Sequence, residues 1–550
     1  MSSRQRLPIE GMTCEHCERT VAAALTGAGA TNVQVNHRKG EAVLETGGAN
    51  EDRLTSAVRE AGYRPGRLRP LPDESDRPPV PRSGDAHQYD LAIIGSGSAA
   101  FAAAIRARDL DARVALIEAN TIGGTCVNVG CVPSKAMLAA AEAYDRARSN
   151  SFPGITTGAI ALDLKAMVAG KDELVESLRK SKYVDLADSY GFELIRGQAS
   201  FHDAHTLEVD GRPIRADAIL IASGSSPAIP PIPGLAEAGY LTSTTALELT
   251  ELPEHLIVIG ANAVGLEMGQ LFLHLGVRVT FLDMAPRIAP GEEPEISQTL
   301  AEVLREEGAE INTGVQVLRV THMGEAREVQ FRVGARQRSV RGTHILVATG
   351  RRPNSEGLQL SQVGVSLTHG GAIKVDDTLR TAVPNVFAAG DAAGLPQFVY
   401  VAAKSGALAA DNALHNANTK LDLSALPRIT FTRPQIASAG LTDEQANAQG
   451  YVCDCWTMSL DAIPRALVNR DTRGLFKMVA ERETGKVLGV SILAENAGDV
   501  ILSAVYAIQF GATVQQLADS WGPYLTMGEG LKLVAQTYTR DIAKLSCCAA

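Results

Sequence analysis

Apolar runs of strand length alternate with amphipathic stretches along most of the chain. Tyr89 to Ile94 and Arg113 to Ile117 flank one helical stretch, and His255 to Ile259 and Arg278 to Leu282 flank another. Strands apolar on both faces, separated by helices, predict an α/β protein with two doubly wound parallel sheets. From about Arg428 the pattern changes. Strands at Arg473 to Ala480 and Val487 to Leu493 mix with helices and no glycine-rich loop follows, which predicts an α+β interface domain. Near the amino end, Glu18 to Leu25 and Leu54 to Gly62 have helical periodicity, while Val33 to Val35 and Glu41 to Glu45 alternate as short strands. Arg69 to Gln88 carries five prolines within Pro70 to Arg82 and reads as a linker. The expected units are therefore 1–68, a linker at 69–88, a first domain split between 89–235 and 345–427, an inserted domain at 236–344, and 428–550.

A chain of 550 residues is too long for one core, in keeping with that division. The net charge of −10, with no dense basic stretch, speaks against nucleic acid as a partner. Met1 to Glu10 has two arginines and no apolar run after them, so no signal peptide is expected. Tyr89 to Ala107, the most apolar segment, contains Asp90, glycines and Arg106, which a membrane span would not tolerate. A cytoplasmic protein is expected.

All eight cysteines lie in close pairs: Cys14 with Cys17, Cys126 with Cys131, Cys453 with Cys455, and Cys547 with Cys548. Close thiol pairs in a large chain point to redox chemistry or soft metals rather than to a disulfide scaffold. Cys453 and Cys455 fall on one face of a strand, where packing is the expected role and extra metal binding the alternative.

Gly95-Ser-Gly97-Ser-Ala-Ala100 follows a strand and opens a helix, with Glu118 closing the next strand. Gly95 permits the tight turn, Gly97 admits a pyrophosphate to the backbone, and Ala100 keeps helix and strand close. Glu118 is placed for a ribose hydroxyl, so dinucleotide binding is expected. Gly260-Ala-Asn262-Ala-Val-Gly265 repeats the context with Asn262 at the middle position, and Asp283 closes its second strand. An acid there favours NADH, whereas Arg287 nearby could accommodate NADPH, and both stay open.

Gly123-Gly-Thr-Cys126-Val-Asn-Val-Gly-Cys131-Val-Pro-Ser-Lys135 follows the first turn. Two thiols so close can cycle between disulfide and dithiol. From Tyr89 onward the chain resembles the flavin-dependent, class I pyridine nucleotide-disulfide oxidoreductases. Ala222-Ser-Gly224 and Ala348-Thr-Gly350 resemble that family's strand-to-loop crossings, and Asn385-Val-Phe-Ala-Ala-Gly390-Asp391 resembles its second flavin motif. The resemblance implies Rossmann-like FAD and NAD(P)H domains, a homodimer, Thr125 and Lys135 at the flavin, and Lys135 paired with Glu267. It also implies flavin contacts from the backbones of Ala199 and Val399, with Cys131 against the flavin and Cys126 facing substrate.

The family's disulfide reductases carry a histidine five positions before a glutamate near the carboxyl end. Here Tyr524 holds that place before Glu529, and no histidine follows His415. A phenol with pKa near ~10 is a poor base at neutral pH. The alternative function, reduction of low-molecular-weight disulfides as in lipoamide dehydrogenase or glutathione reductase, is therefore disfavoured. A copper-handling or sensor protein is a second rival. Gly11-Met-Thr-Cys14-Glu-His-Cys17 resembles the loop of small heavy-metal-associated domains of ferredoxin-like βαββαβ fold, with His16 as a solvated spacer. With Cys547 and Cys548 as a second soft-metal pair, the chain resembles the branch of the family that reduces Hg(II) to Hg(0). Tyr183 and Tyr524 match its active-site tyrosines. The resemblance implies a relay from Cys14 and Cys17, through Cys547 and Cys548 of the other subunit, to Cys126 and Cys131. Hg(II)–thiol complexes are the expected substrate, and mercury transport proteins are candidate donors.

Overall fold

The computed structural model describes residues 4–12, 14–37, 40–70 and 88–541. Cys547, Cys548 and most of the expected linker lie outside the described residues.

The amino-terminal unit is one antiparallel sheet and two helices. Its strands run in the order Thr31–Asn36, Glu41–Glu45, Arg4–Glu10, Arg64–Pro65. Helix Glu15–Gly27 buries Val21 and Leu25, and helix Glu51–Glu60 buries Leu54 and Val58; both pairs are spaced i, i+4. These side chains share a core with Leu7, Ile9 and Leu44, each contributing about 1.5–3 kcal/mol by leaving water. Both helices begin three residues before their apolar periodicity does. In the second, the Asn50 side chain accepts from the Arg53 N–H, and Glu51 and Asp52 occupy the positive end.

Next comes a parallel sheet in the order Glu193–Arg196, Val114–Glu118, Tyr89–Ile94, Arg212–Ile221, completed by Val386–Ala388 against the last strand. Arg113 is not part of its strand, because its N–H and guanidinium both bond to Asp90. Chain inserted between Ile221 and Val386 forms a second parallel sheet, Glu310–Asn312, Arg278–Leu282, His255–Ile259, His344–Val347. His255–Ile259 is buried at every position, which explains the apolar run from Leu256 to Ile259. An antiparallel meander, Val315–Met323, Ala326–Val333 and Arg336–Gly342, precedes the final strand of that sheet and was not expected from the sequence.

The last unit is a five-stranded antiparallel sheet, Pro427–Thr430, Gln435–Gly440, Val487–Ala494, Leu475–Glu481, Cys453–Ser459, with helices Ala497–Gln509 and Glu529–Gln536 in its core. Lys477 is buried in this sheet, and its ammonium reaches Glu293 and Glu295 of the inserted region at 2.9 Å each. The two regions are thus pinned by an ion cluster in which Lys477 and Glu293 are buried and Glu295 reaches solvent. Among the described residues, no helix is long and apolar enough to cross a membrane.

Candidate functional site

At the first glycine turn, Gly95 has φ +107°, and a Cβ there would lie 2.4 Å from the Ala222 carbonyl oxygen. A Cβ on Gly124 would lie 2.5 Å from the Gly97 Cα, so three backbone segments meet with no room for side chains. Helix Ser98–Asp109 starts at Gly97 with no side-chain cap, leaving its first N–H groups free for an anion. Ala100 is fully buried inside that helix. Ser96 donates to Glu118 at 2.5 Å and accepts from the Gly123 N–H at 3.0 Å, which fixes the carboxylate at the strand end. These groups border a cleft of about 550 Å³ that Thr125, Ala199 and Gly224 also line.

The stretch 385–391 reaches this cleft through Ser225, which donates to Asp391 at 2.6 Å. Arg351 in turn donates to the Ser225 hydroxyl at 2.8 Å and to its carbonyl at 2.6 Å. Burial lowers the Arg351 pKa, against the charges of Asp391 and Cys131. Arg351 was missed in the sequence, although it directly follows Gly350 of a recognised motif. Val399 opens helix Val399–His415 and is 37% exposed. The cleft, its uncapped helix start and the fixed acid fit an extended dinucleotide such as FAD.

Cys126 lies in the short helix Gly124–Asn128, and Cys131 is the first residue of helix Cys131–Arg148. Gly130 lets the chain reverse between them, since a Cβ there would meet the Thr125 carbonyl oxygen at 2.9 Å. The two sulfurs titrate as a pair. The Cys126 hydrogen bond and the Lys135 ammonium lower the Cys131 pKa to about 7. The same hydrogen bond, with burial, pushes the Cys126 pKa upward. Of the two, Cys131 is therefore the one that ionises first.

Lys135, one helical turn beyond Cys131, meets the buried Glu267 carboxylate at 2.7 Å, and its ammonium lies 4.7 Å from the Phe431 ring centre. Glu267 also accepts from the Phe431 N–H at 2.9 Å. Thiol helix, second glycine turn and carboxyl-terminal region thus share one fixed charge pair. Tyr183 sits in the π-helical stretch Lys180–Val184, with its ring edge-on to Phe101 at 4.8 Å. Burial and then the two thiols raise its pKa, so it stays protonated. Tyr524 is 46% exposed, ahead of helix Glu529–Gln536.

At the second turn, Gly260 has φ +105°, and a Cβ on Gly265 would lie 1.9 Å from the Gly260 carbonyl oxygen. Helix Ala263–His274 begins at Asn262 without a side-chain cap. Gly350, at φ +113°, follows the Ala348 carbonyl that packs on Gly260. Asp283 accepts from the N–H groups of Ala261 and Ala285. This turn, too, fits a dinucleotide.

In the amino-terminal unit, Cys14 and Cys17 bring their sulfurs to 3.5 Å at the start of helix Glu15–Gly27, while His16 is exposed. Tyr63, unremarked in the sequence, hydrogen-bonds to Cys17, and that bond raises the phenol's pKa. Among the described residues, no group of three or more His, Cys, Asp or Glu side chains could hold a metal. Two sulfurs alone suit a soft ion of low coordination number. Cys453 and Cys455 are half-buried on strand Cys453–Ser459, and burial with the Asp443 contact pushes Cys455 up to about 12.

Comparison with known proteins bears on the whole chain. Residues 89–406 match the pyridine nucleotide-disulphide oxidoreductase family, and residues 426–535 match that family's dimerisation domain. A mercuric reductase of Staphylococcus aureus is 46% identical, over 99% of each chain. One from Streptomyces lividans is 54% identical, over 84% of this chain and 98% of its own. Among solved structures, the copper(II) complex of the HOCl-induced flavoprotein disulfide reductase RclA from Escherichia coli superposes with a TM-score of 0.74. It is 30% identical and covers 83% of this chain and 100% of its own. The thiol pair, the two glycine turns and these matches agree: the chain belongs to the pyridine nucleotide-disulphide oxidoreductase family.

Proposed function

We propose that this protein is a mercury(II) reductase, an FAD-dependent enzyme that reduces Hg(II) to Hg(0) with NADH or NADPH in mercury detoxification. What supports the proposal is the Cys126 and Cys131 thiol pair beside the Lys135–Glu267 ion pair, with Tyr524 at the sequence position of the family's histidine. Its relatives at 46% and 54% identity are mercuric reductases.

FAD, when bound, supplies two-electron redox chemistry between the nicotinamide and the thiol pair. Gly95, Gly97, Glu118, Thr125, Ala199, Gly224, Gly390, Asp391 and Val399 would hold it, and Gly260, Gly265, Asp283 and Gly350 would serve the nicotinamide nucleotide. The overall balance is Hg(II) + NAD(P)H → Hg(0) + NAD(P)⁺ + H⁺. Lys135 keeps Cys131 ionised and is itself held by Glu267. Cys126 and Cys131 bind Hg(II) by displacing its two thiol ligands; one leaves with the Cys126 proton, and the other leaves as thiolate and takes its proton from solvent. Tyr183, protonated and fixed by Phe101, flanks the ion. No residue need act as a general base, because thiolate exchange on a soft ion requires none at neutral pH.

We assign the chain to a heavy-metal-associated domain at 1–68, a linker at 69–88, an FAD domain at 89–235 and 345–427, an NAD(P)H domain at 236–344 and an interface domain at 428–550. The antiparallel sheet order and the Cys14–Cys17 geometry support the first assignment. Cys14 and Cys17 capture Hg(II), from small thiols or from mercury transport proteins. They pass it to Cys547 and Cys548, and this tail serves the site of the other subunit in a homodimer together with Tyr524. The enzyme works in the cytoplasm, where NAD(P)H and reduced thiols are supplied.

The test is anaerobic mixing of the purified protein with NADH or NADPH and Hg(II) under excess small thiol. Nicotinamide oxidation matched by volatile mercury is expected. Oxidation driven by oxidised glutathione or lipoamide, with none driven by Hg(II), would overturn the proposal.

A further inference from the structure

Two residues near the second glycine turn bear on which nicotinamide the enzyme takes: Asp283, an acid at the strand end, and Arg287, four residues on. The acid is immobile. One carboxylate oxygen accepts from the Ala261 N–H, and the other accepts from the Ala285 N–H at 2.7 Å. A carboxylate oxygen has two lone pairs, so each retains one for a ribose hydroxyl while the group stays locked in place.

Arg287 is drawn into the loop that follows Asp283. Its Nη2 donates to the carbonyls of Pro290 at 2.9 Å and Glu292 at 3.2 Å. The Ala289 N–H donates to the Ala261 carbonyl at 2.8 Å, so this loop is folded back onto the glycine turn. The Arg287 Nε is buried without a partner, so the inner edge of the guanidinium is enclosed by this loop. No other basic residue lies between Gly260 and Glu295 apart from His274 and Arg278. Arg278 stands at the opposite end of strand Arg278–Leu282, and His274 is buried against Glu307.

We infer that this chain takes NADH in preference to NADPH, with Asp283 as the residue that discriminates. The inference rests on the dinucleotide assignment of the Gly260 turn and goes beyond it by naming the ligand. A 2′-hydroxyl donates to the fixed carboxylate. A 2′-phosphate brings nearly two negative charges against it, while Arg287, the nearest cation along the chain, has its Nη2 on two backbone carbonyls.

The experiment is calorimetric titration of the flavin-loaded, full-length protein with ADP-ribose and with 2′-phospho-ADP-ribose. Both lack nicotinamide, so binding is read without turnover. ADP-ribose is expected to bind at least about tenfold more tightly. Asp283→Asn should bring the two affinities within about threefold, with Asp283→Ser as the second variant where an amide disturbs the turn. Arg287→Ala should leave their ratio unchanged. Equal or tighter binding of the phosphorylated ligand by the unmodified protein, or a ratio unmoved in both Asp283 variants, overturns the inference. Absence of heat with either ligand overturns the dinucleotide assignment itself, and the inference with it.

Discussion

Lys135 and Glu267 meet at 2.7 Å across 132 residues of sequence, and their contact fixes the cation one helical turn from the Cys131 sulfur. The pair ties the helix of the redox cysteines to the helix of the second glycine turn. A neutral side chain at position 135 would remove a charge that favours the thiolate, so Lys135→Met should raise the Cys131 pKa. In the unmodified, prereduced protein the thiolate is present above about 7 and is lost as pH falls through that value. Iodoacetamide alkylation at pH 7 should be slower in the variant by roughly threefold to tenfold, with the two rates converging at high pH. An unchanged pH profile would remove Lys135 from this role.

The two thiols are expected to be jointly indispensable. Cys126→Ala and Cys131→Ala should each lower Hg(II)-dependent nicotinamide oxidation by about 10³-fold or more, equivalent to ~4 kcal/mol of barrier. Steady-state rates and vapour-phase mercury would be measured on the same samples.

The Cys14 and Cys17 sulfurs, 3.5 Å apart, are expected to take up Hg(II) without taking part in its reduction. Replacing both with alanine should reduce the Hg(II) bound by the oxidised protein by about one ion per chain. Turnover of small-thiol complexes should stay within about twofold. By contrast, Cys547→Ala with Cys548→Ala should slow turnover most when competing thiol is abundant.

Lys477 is 5% exposed, and Glu293, its partner, is 2% exposed. Lys477→Ala would strand a buried carboxylate and should cost about 3–5 kcal/mol. The loss should be seen as a lower thermal unfolding midpoint, smaller in Lys477→Ala combined with Glu293→Gln.

What could be read from sequence follows a physical division. Turns such as Gly95 and Gly260 were legible because a close backbone approach and a positive φ admit little but glycine. Strands His255–Ile259 and Tyr89–Ile94 were legible because burial on both faces leaves an apolar run. The meander at Val315–Gly342 was not, because Arg336–Gly342 is mostly exposed and its composition resembles a loop. Nor were the partners of Arg351 and Arg287. Cations report their chemistry in sequence, but which carbonyls or carboxylates they reach is decided by tertiary packing.

Ser225 and Asp391 share a hydrogen bond across 166 residues, and strand Val386–Ala388 closes the sheet begun at Tyr89. On a ribosome adding about 5–20 residues per second, the first part of the flavin cleft waits roughly ten to thirty seconds for the second. During that interval the inner strand Arg212–Ile221 has an open edge, and the nascent chain has no finished pocket in which to retain a flavin. Cofactor loading is thus a late event in biogenesis, and a chain truncated before Val386 should emerge colourless.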